Sequence, residues 1–426
     1  GQERFYWREP DSSLVLAGFG TAAELIAWGK TRFTRIENLT RRLFVQAIIL
    51  NPAPLALPRL FGGFAFRDDF VPDHTWAVFH PAHFILPHFQ LTQAGSESWL
   101  TINSLIPEQD NPSTYVPYLW QALEARYAWL LASELDQVQA GAVCPPPVHL
   151  RSPMSCETWQ RMIGDAVSQI QVGSFRKVVL ARASEVACAD SIKVDLVLRY
   201  LDEQYPGCYR FLFEPQTGHA FLGATPELLV KVSGTELTTM ALAGSIRRGI
   251  TLAEDEHLAQ EMLNSPKERF EHRLVVEELR RRLKLRTSQL TILTSPEVLK
   301  FRNIQHLHTP VRGEMKRSSG VLRLLASLHP TPALGGSPRE AAMEYIRNVE
   351  PIPRGWYAAP VGWLAPDLDG EFAVAIRSAV IQERRAWLYA GAGIVAGSQA
   401  DQEWKETALK FKPVLQALGL EGISEG

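Results

Sequence analysis

Short apolar runs cut by Gly and Pro dominate the first quarter of the chain. Leu14–Gly20, Arg42–Leu50, Phe61–Phe66, Trp76–His80, Phe84–Leu86 and Trp99–Asn103 are strand-sized and predict a set of antiparallel strands. Ala22–Lys30 reads as a short helix among them, and helical spacing of apolar residues predicts a longer helix over Tyr118–Leu135. A proline-rich break, Cys144-Pro-Pro-Pro-Val-His-Leu-Arg-Ser-Pro153, marks the main boundary. It divides the chain into a β-rich amino-terminal half, residues 1–145, and a second half, residues 150–416.

The second half mixes both periods. Ser155–Val172 predicts a helix with Ser155 as its cap. Phe175–Arg182 predicts a short strand whose alternation puts Lys177, Val179 and Ala181 on one face. Tyr209–Phe213, His219–Thr225 and Leu228–Val230 read as consecutive strands, and Met240–Gly249 as a glycine-bounded loop. Leu252–Asn264 and Pro266–Lys284 predict helices, the second with proline at its first position. Strands return over residues 289–315. Val321–Leu328 and Glu340–Asn348 are helical, separated by an irregular stretch rich in Pro and Gly. The carboxyl end reads strand (Glu371–Arg377), strand (from Leu388), glycine turn (Gly391-Ala-Gly393) and a helix from Ser398 through Lys410.

That last stretch concentrates chemistry. A lone Arg377 ends an apolar strand, the glycine turn can bring backbone amides close to a ligand, and Glu403 and Glu406 share a helix face with Lys410 one turn on. Arginine, amides and paired carboxylates suit a small anion bridged to the protein by a metal. Upstream, Glu268 and Glu271 share another helix face. Ser265-x-x-Glu268 is also a capping box, worth about 1 kcal/mol without any catalysis. Glu271 has no such competing explanation and is the better ligand.

Lys177 at the start of a strand is most simply a solvated end; buried, it could lose its proton and act as a base. Glu227, after Pro226, is equally open to reading as an exposed turn glutamate or as a buried acid of raised pKa. The Gly244-Ser245 loop offers amides to an anion. His306 and His308 alternate onto one face, with core packing favoured locally over a site role. His74, His80, His83 and His88 read as surface or hydrogen-bonded residues.

Composition narrows the classes. The chain has 426 residues, 46% hydrophobic and 21% charged, with net charge -2, so no basic excess points to nucleic acid or an anionic membrane. No apolar run is long enough to span a bilayer. The four cysteines (Cys144, Cys156, Cys188 and Cys208) match no zinc spacing and predict reduced thiols in the cytoplasm. No signal peptide is visible, and Gly1 is not a natural initiator, which predicts trimming ahead of it. The absence of a GxGxxG turn opening a helix, a Walker loop, GxSxG and HExxH leaves hydride transfer, nucleotide hydrolysis and serine hydrolysis unsupported.

Taken in order, KVVLAR, FLGATPELL, LAGSIRRG, SPKERFEH, NIQHLHT, HPTPALGGSP, RGWYAAPVGW, FAVAIRSA, AGAGIVAGS and EWKETALK resemble the chorismate-utilising enzymes. The runs cover residues 153–415, and residues 5–140 resemble the family's more variable amino-terminal half. The resemblance implies an α+β fold of large antiparallel sheets with helices packed outside and a central cleft for chorismate and magnesium. It implies that Lys177 activates water for attack at C2 and that Glu227 protonates the departing C4 hydroxyl. Glu271 and Glu403 match the principal magnesium ligands, with Glu268 and Glu406 beside them. Arg377, Gly391, Gly393, Lys410 and the Gly244-Ser245 amides match positions holding substrate carboxylates, and His306 lines the ring pocket.

Within the family, LAGSIRRG, HPTPALGG and RGWYAAPVGW look most like isochorismate synthases of the menaquinone type. Salicylate synthases, which go on to expel pyruvate, share the Lys177 and Glu227 equivalents but typically carry threonine where Ser245 stands. Aminodeoxychorismate synthases carry a lysine at the position of Ala243. Gln399–Gln402 departs from a common Asp-Pro pair without removing either glutamate. A non-catalytic chorismate-binding protein is the remaining alternative. Water chemistry requires no amidotransferase partner, and a monomer or homodimer is expected.

Overall fold

The structure is a computed structural model and describes residues 3–10, 13–50, 53–132, 147–317 and 319–420. The amino-terminal part contains β1 (Arg4–Arg8), β2 (Val15–Ala27), α1 (Arg32–Phe44), β3 (Leu60–Phe64), β4 (Ala82–Ala94), β5 (Glu97–Ile102) and α2 (Val116–Ala132). Three expectations fail here. Ala22–Lys30 is not a helix: through Ala27 it continues β2, where pairing with β4 overrides local propensity. The helix lies instead at Arg32–Phe44, burying Phe33 and Ile36 one turn apart, and the apolar Val45–Leu50 that follows is exposed rather than a strand. Trp76–His80 forms no strand either; Trp76 and Phe79 are buried by ring packing without a ladder. The helix expected to reach Leu135 is described through Ala132, and residues 133–135 lie outside the described residues.

Next come β6 (Pro147–Arg151), α3 (Cys156–Gln171), β7 (Lys177–Cys188), α4 (Val194–Gln204), β8 (Tyr209–Gln216), β9 (His219–Thr225), β10 (Leu228–Ser233), β11 (Glu236–Arg247), α5 (Leu252–Asn264) and α6 (Pro266–Lys284). Part of the proline-rich break, Cys144–Pro146, lies outside the described residues, and the rest is largely β6, paired with β7. Ser155 caps α3 and Ser265 caps α6 with Pro266 at its first position, so the local signals at both helix starts hold. Met240–Gly249 is not a loop. It is mostly β11, whose ladder with a later strand slips by one residue at Gly244, a bulge that glycine's positive φ of 79° permits.

The remainder is β12 (Thr287–Ile292), β13 (Glu297–Lys300), β14 (Ile304–Met315), α7 (Val321–Leu328), the two-residue β15 (Gly336–Ser337), α8 (Arg339–Val349), β16 (Pro360–Leu364), β17 (Gly370–Val374), β18 (Ser378–Gln382), β19 (Arg385–Ile394) and α9 (Ala400–Ala417). Gly391 and Gly393 do not form a turn; both lie within β19, opposite Ala181 and Val179 of β7.

Most of the described strands pair antiparallel into one ribbon, β6-β7-β19-β18-β9-β8-β1-β2-β4-β3-β16-β17-β10-β11-β14, to which β5 adds on β4, β12 and β13 on β14, and β15 on β7. Strands β1 to β4 stand in its middle, with strands from the later part of the chain on either side. Aromatic residues of these strands, among them Phe5, Phe64, Phe84, Phe213 and Phe221, join Trp76 and Trp356 in the main core. A second apolar cluster fills the space between α4, α9 and the other face of β9, β18 and β19. The α+β class, with large antiparallel sheets and helices outside, is as expected.

Candidate active site

The ribbon's two ends supply opposite walls of one cleft. Strands β7 and β19 come from one end and β11 and β14 from the other, while α6 packs on β11 and α9 on β19. The space between them is about 660 Å³ counting its open mouth. Of the residues expected at the site, Glu227, Gly244, Ser245, Glu271, His306, Arg377, Gly391, Gly393, Glu406 and Lys410 line it. Lys177, Glu268 and Glu403 are not part of that lining; Lys177 and Glu268 reach it through Glu271 and Ser245, while Glu403 pairs with Lys267.

Lys177 is fully buried at the start of β7, so it is not a solvated strand end. Its Nζ donates to Glu271 Oε1 of α6 at 2.7 Å. Gly393 makes room for this pair: a Cβ there would stand 2.9 Å from Lys177 Cε and closer still to Glu271 Oε1. The glycine therefore serves close approach of side chains across a strand, not a turn. Gly391 is also tightly enclosed, by Tyr357 Oη and Leu180 O, and its carbonyl accepts from Lys410 Nζ at 2.8 Å.

Glu227 is buried at the entry to β10. Burial raises its pKa to about 8, against the lowering effect of Lys177, Lys410 and Arg377. It is thus a largely protonated acid at neutral pH, which excludes the exposed-turn reading.

The four expected metal ligands fall on two helices, Glu268 and Glu271 on α6, Glu403 and Glu406 on α9. Three are held by lysines: Glu271 by Lys177, Glu403 by Lys267 at 2.8 Å, and Glu406 by Lys410 at 2.6 Å. Glu268 Oε1 stands 3.9 Å from the same Lys267 Nζ, and its Oε2 accepts from the Ser245 amide at 3.1 Å. Only half of the expected capping box forms, since Ser265 Oγ accepts from the Glu268 amide while the Glu268 carboxylate turns toward β11. The Ser245 amide, expected to hold substrate, is occupied by that carboxylate.

Burial, then Glu271 and Glu406, raises the Glu268 pKa to about 7; burial, then Glu406, does the same for Glu403. Glu403 Oε2 is buried without a hydrogen-bond partner. Among the described residues no three acidic, His or Cys side chains converge into a ready-made metal site. The donor set nonetheless fits magnesium in kind: all oxygen, one oxygen unpartnered, and two carboxylates whose charge burial and neighbouring glutamates disfavour. Lys267, which sits inside SPKERFEH, was not singled out by sequence reasoning. Its ammonium is disfavoured by burial but held above its ordinary pKa by Glu403, Glu268 and Glu406.

Arg377 follows β17 with φ 53°, a left-handed conformation costly for a non-glycine residue. Its buried Nη2 lies 3.2 Å from His306 Nε2. Burial, then Arg377, drives the His306 pKa down to about 3, so the ring is neutral. Tyr357 and Tyr389 also face the cleft, stacked at 5.4 Å, with Trp76 Nε1 donating to Tyr389 Oη at 3.2 Å. Sequence reasoning left their roles unassigned, although Tyr357 lies inside RGWYAAPVGW.

Comparison with known proteins shows the family of this chain. The "Chorismate binding enzyme" family model matches residues 1–419. The "Salicylate biosynthesis isochorismate synthase" of Pseudomonas aeruginosa is 37% identical over 98% of this chain and 85% of its own length. "Isochorismate synthase MenF" of Bacillus subtilis is 33% identical over 98% and 88%. Among solved structures, the menaquinone-specific isochorismate synthase MenF of Escherichia coli superposes with a TM-score of 0.79 at 26% identity, covering 98% of this chain and 88% of that one. Family model, relatives and fold agree, and the chain belongs to the chorismate-binding enzyme family.

Proposed function

We propose that this protein is a magnesium-dependent isochorismate synthase, exchanging the C4 hydroxyl of chorismate for a hydroxyl at C2. The observation that carries the reading is a buried Glu227, whose pKa burial raises to about 8, in the same cleft as the Lys177–Glu271 pair. One proton donor and one latent base at a single ring pocket suit a displacement in which water enters as a hydroxyl leaves. Lys177, once neutral, takes a proton from water as its oxygen bonds to C2. The ring double bond shifts, the C4–O bond breaks, and Glu227 gives its proton so that the leaving group departs as water. Glu271 Oε1 accepts from Lys177 Nζ and holds the lysine against the cleft.

Arg377 and Lys410 supply positive charge for the substrate carboxylates. Glu271 and Glu403 would hold magnesium, with Glu268 and Glu406 beside them. Bound magnesium would supply charge that polarises the ring carboxylate. Similar proteins carry names that mention salicylate biosynthesis and menaquinone, and isochorismate formation is common to both names. The proposal therefore centres on the ring chemistry, with the menaquinone pathway as the sequence-based expectation.

Incubation with chorismate and magnesium, with products resolved by chromatography, tests it. Isochorismate supports the reading, salicylate with pyruvate makes the protein a salicylate synthase, and no turnover removes the catalytic proposal.

A further inference from the structure

His306 lies on β14 opposite the bulge of β11, paired in register with Ser245. Its Nδ1 is 2.9 Å from the Gly244 carbonyl oxygen and 3.1 Å from Ser245 Oγ. A carbonyl oxygen can only accept, so the ring proton sits on Nδ1. In a neutral ring the other nitrogen then carries a bare lone pair. That lone pair faces Arg377 Nη2, which can only donate, at 3.2 Å. An imidazolium would instead point an N–H at a guanidinium N–H. Arg377 from beyond β17 and Lys410 from α9 oppose a charged ring, and Glu406 of α9 favours it, with burial the largest influence against.

From this geometry we infer that His306 is a positioning residue: its Nε2 lone pair fixes the Arg377 guanidinium toward the cleft, and it carries no proton in the reaction. Both ring nitrogens are already engaged, one with a carbonyl and one with a guanidinium. Arg377 needs such a partner, because a buried guanidinium on a left-handed residue has few ways to hold one orientation. The same Nδ1–H also faces Ser245 Oγ, leaving the Ser245 hydroxyl hydrogen available to the cleft. The inference rests on the reading that Arg377 holds a chorismate carboxylate.

Two amide variants separate the ring nitrogens. In His306→Gln the side-chain oxygen reaches the place of Nε2 and can accept from Arg377. His306→Asn reaches only the place of Nδ1. The expected result is a rise of about tenfold in KM for chorismate in His306→Asn, largely recovered in His306→Gln, the size of a lost hydrogen bond to a charged group. The pH profile of kcat/KM in His306→Gln keeps both limbs of the parent. In an Arg377→Ala background, His306→Asn adds less than about twofold, because its effect passes through the arginine.

Independent, multiplying losses in the double variant overturn the inference, as does a missing pH limb in His306→Gln with a fall mainly in kcat. Thermal melting of each variant confirms folding, and equilibrium dialysis with chorismate replaces KM for any variant without turnover. Parent turnover in the same assay separates the two readings. A parent that does not consume chorismate defeats the substrate assignment, whereas an active parent with multiplying losses defeats only the role of His306.

Discussion

Lys177 Nζ and Glu271 Oε1 stand 2.7 Å apart, joining the start of β7 to α6 across 94 positions of sequence. The lysine is sealed from solvent while the glutamate reaches the cleft. The lysine is therefore held by a carboxylate that a ligand in the cleft can contact. Lys177→Met is expected to lower kcat by on the order of a thousandfold, as loss of a general base does, while chorismate still binds. Stopped assays and equilibrium dialysis measure the two quantities, and retained kcat defeats the base assignment.

Glu227 sets a second expectation through pH. The acid must be protonated to act, so kcat/KM should fall as pH rises through about 8. The sign for stability is the same. A carboxyl whose folded pKa is raised contributes stability that is present below its unfolded pKa and is lost as pH rises through about 8. Glu227→Gln should reduce kcat by about 10²–10⁴-fold and flatten the decline of Tm between pH 6 and 9. A parent-like alkaline limb in the variant assigns that limb to another group.

Gly393→Ala tests the space around the ion pair. The new Cβ would crowd Lys177 Cε and Glu271 Oε1 from a strand backbone that pairing with β7 holds in place. We expect a loss of about 1–3 kcal/mol in stability together with severe loss of turnover. Normal Tm and normal activity would show that the pair has room to shift.

The carboxylate faces of α6 and α9 predict a magnesium response independent of turnover. Magnesium should raise the parent Tm, and Glu271→Gln combined with Glu403→Gln should abolish that rise. Lys267→Met removes the cation now paired with Glu403, so the magnesium-free variant should melt lower and recover more on adding magnesium. An equal shift in parent and double variant places any bound metal elsewhere.

Local chemistry was legible from the chain. Ser155 and Ser265 cap the helices they were expected to cap, and Pro266 opens α6, because capping involves residues three apart. Glu268 with Glu271, and Glu403 with Glu406, share helix faces for the same short-range reason. The charged residues of the cleft, Glu227, Glu271, Arg377, Glu406 and Lys410, carry such signals, whereas its apolar and aromatic lining, Leu242, Leu334, Tyr357 and Tyr389 among it, does not.

Pairing partners were not legible in the same way. Ala22–Lys30 suggested a helix, but Ala23–Ala27 of β2 pairs with β4, and that ladder decides its conformation. Gly391 and Gly393 suggested a turn, yet their purpose depends on β7 and on Glu271, far away in sequence.

By itself the sequence determined the residue types of the site, the helices that carry its carboxylates and the family it belongs to. Only the tertiary structure decided that Lys177 is buried against Glu271, that Glu227 is kept protonated and that His306 is neutral beside Arg377. Those properties come from desolvation and from charges on distant strands and helices, and both exist only once the two ends of the ribbon have met.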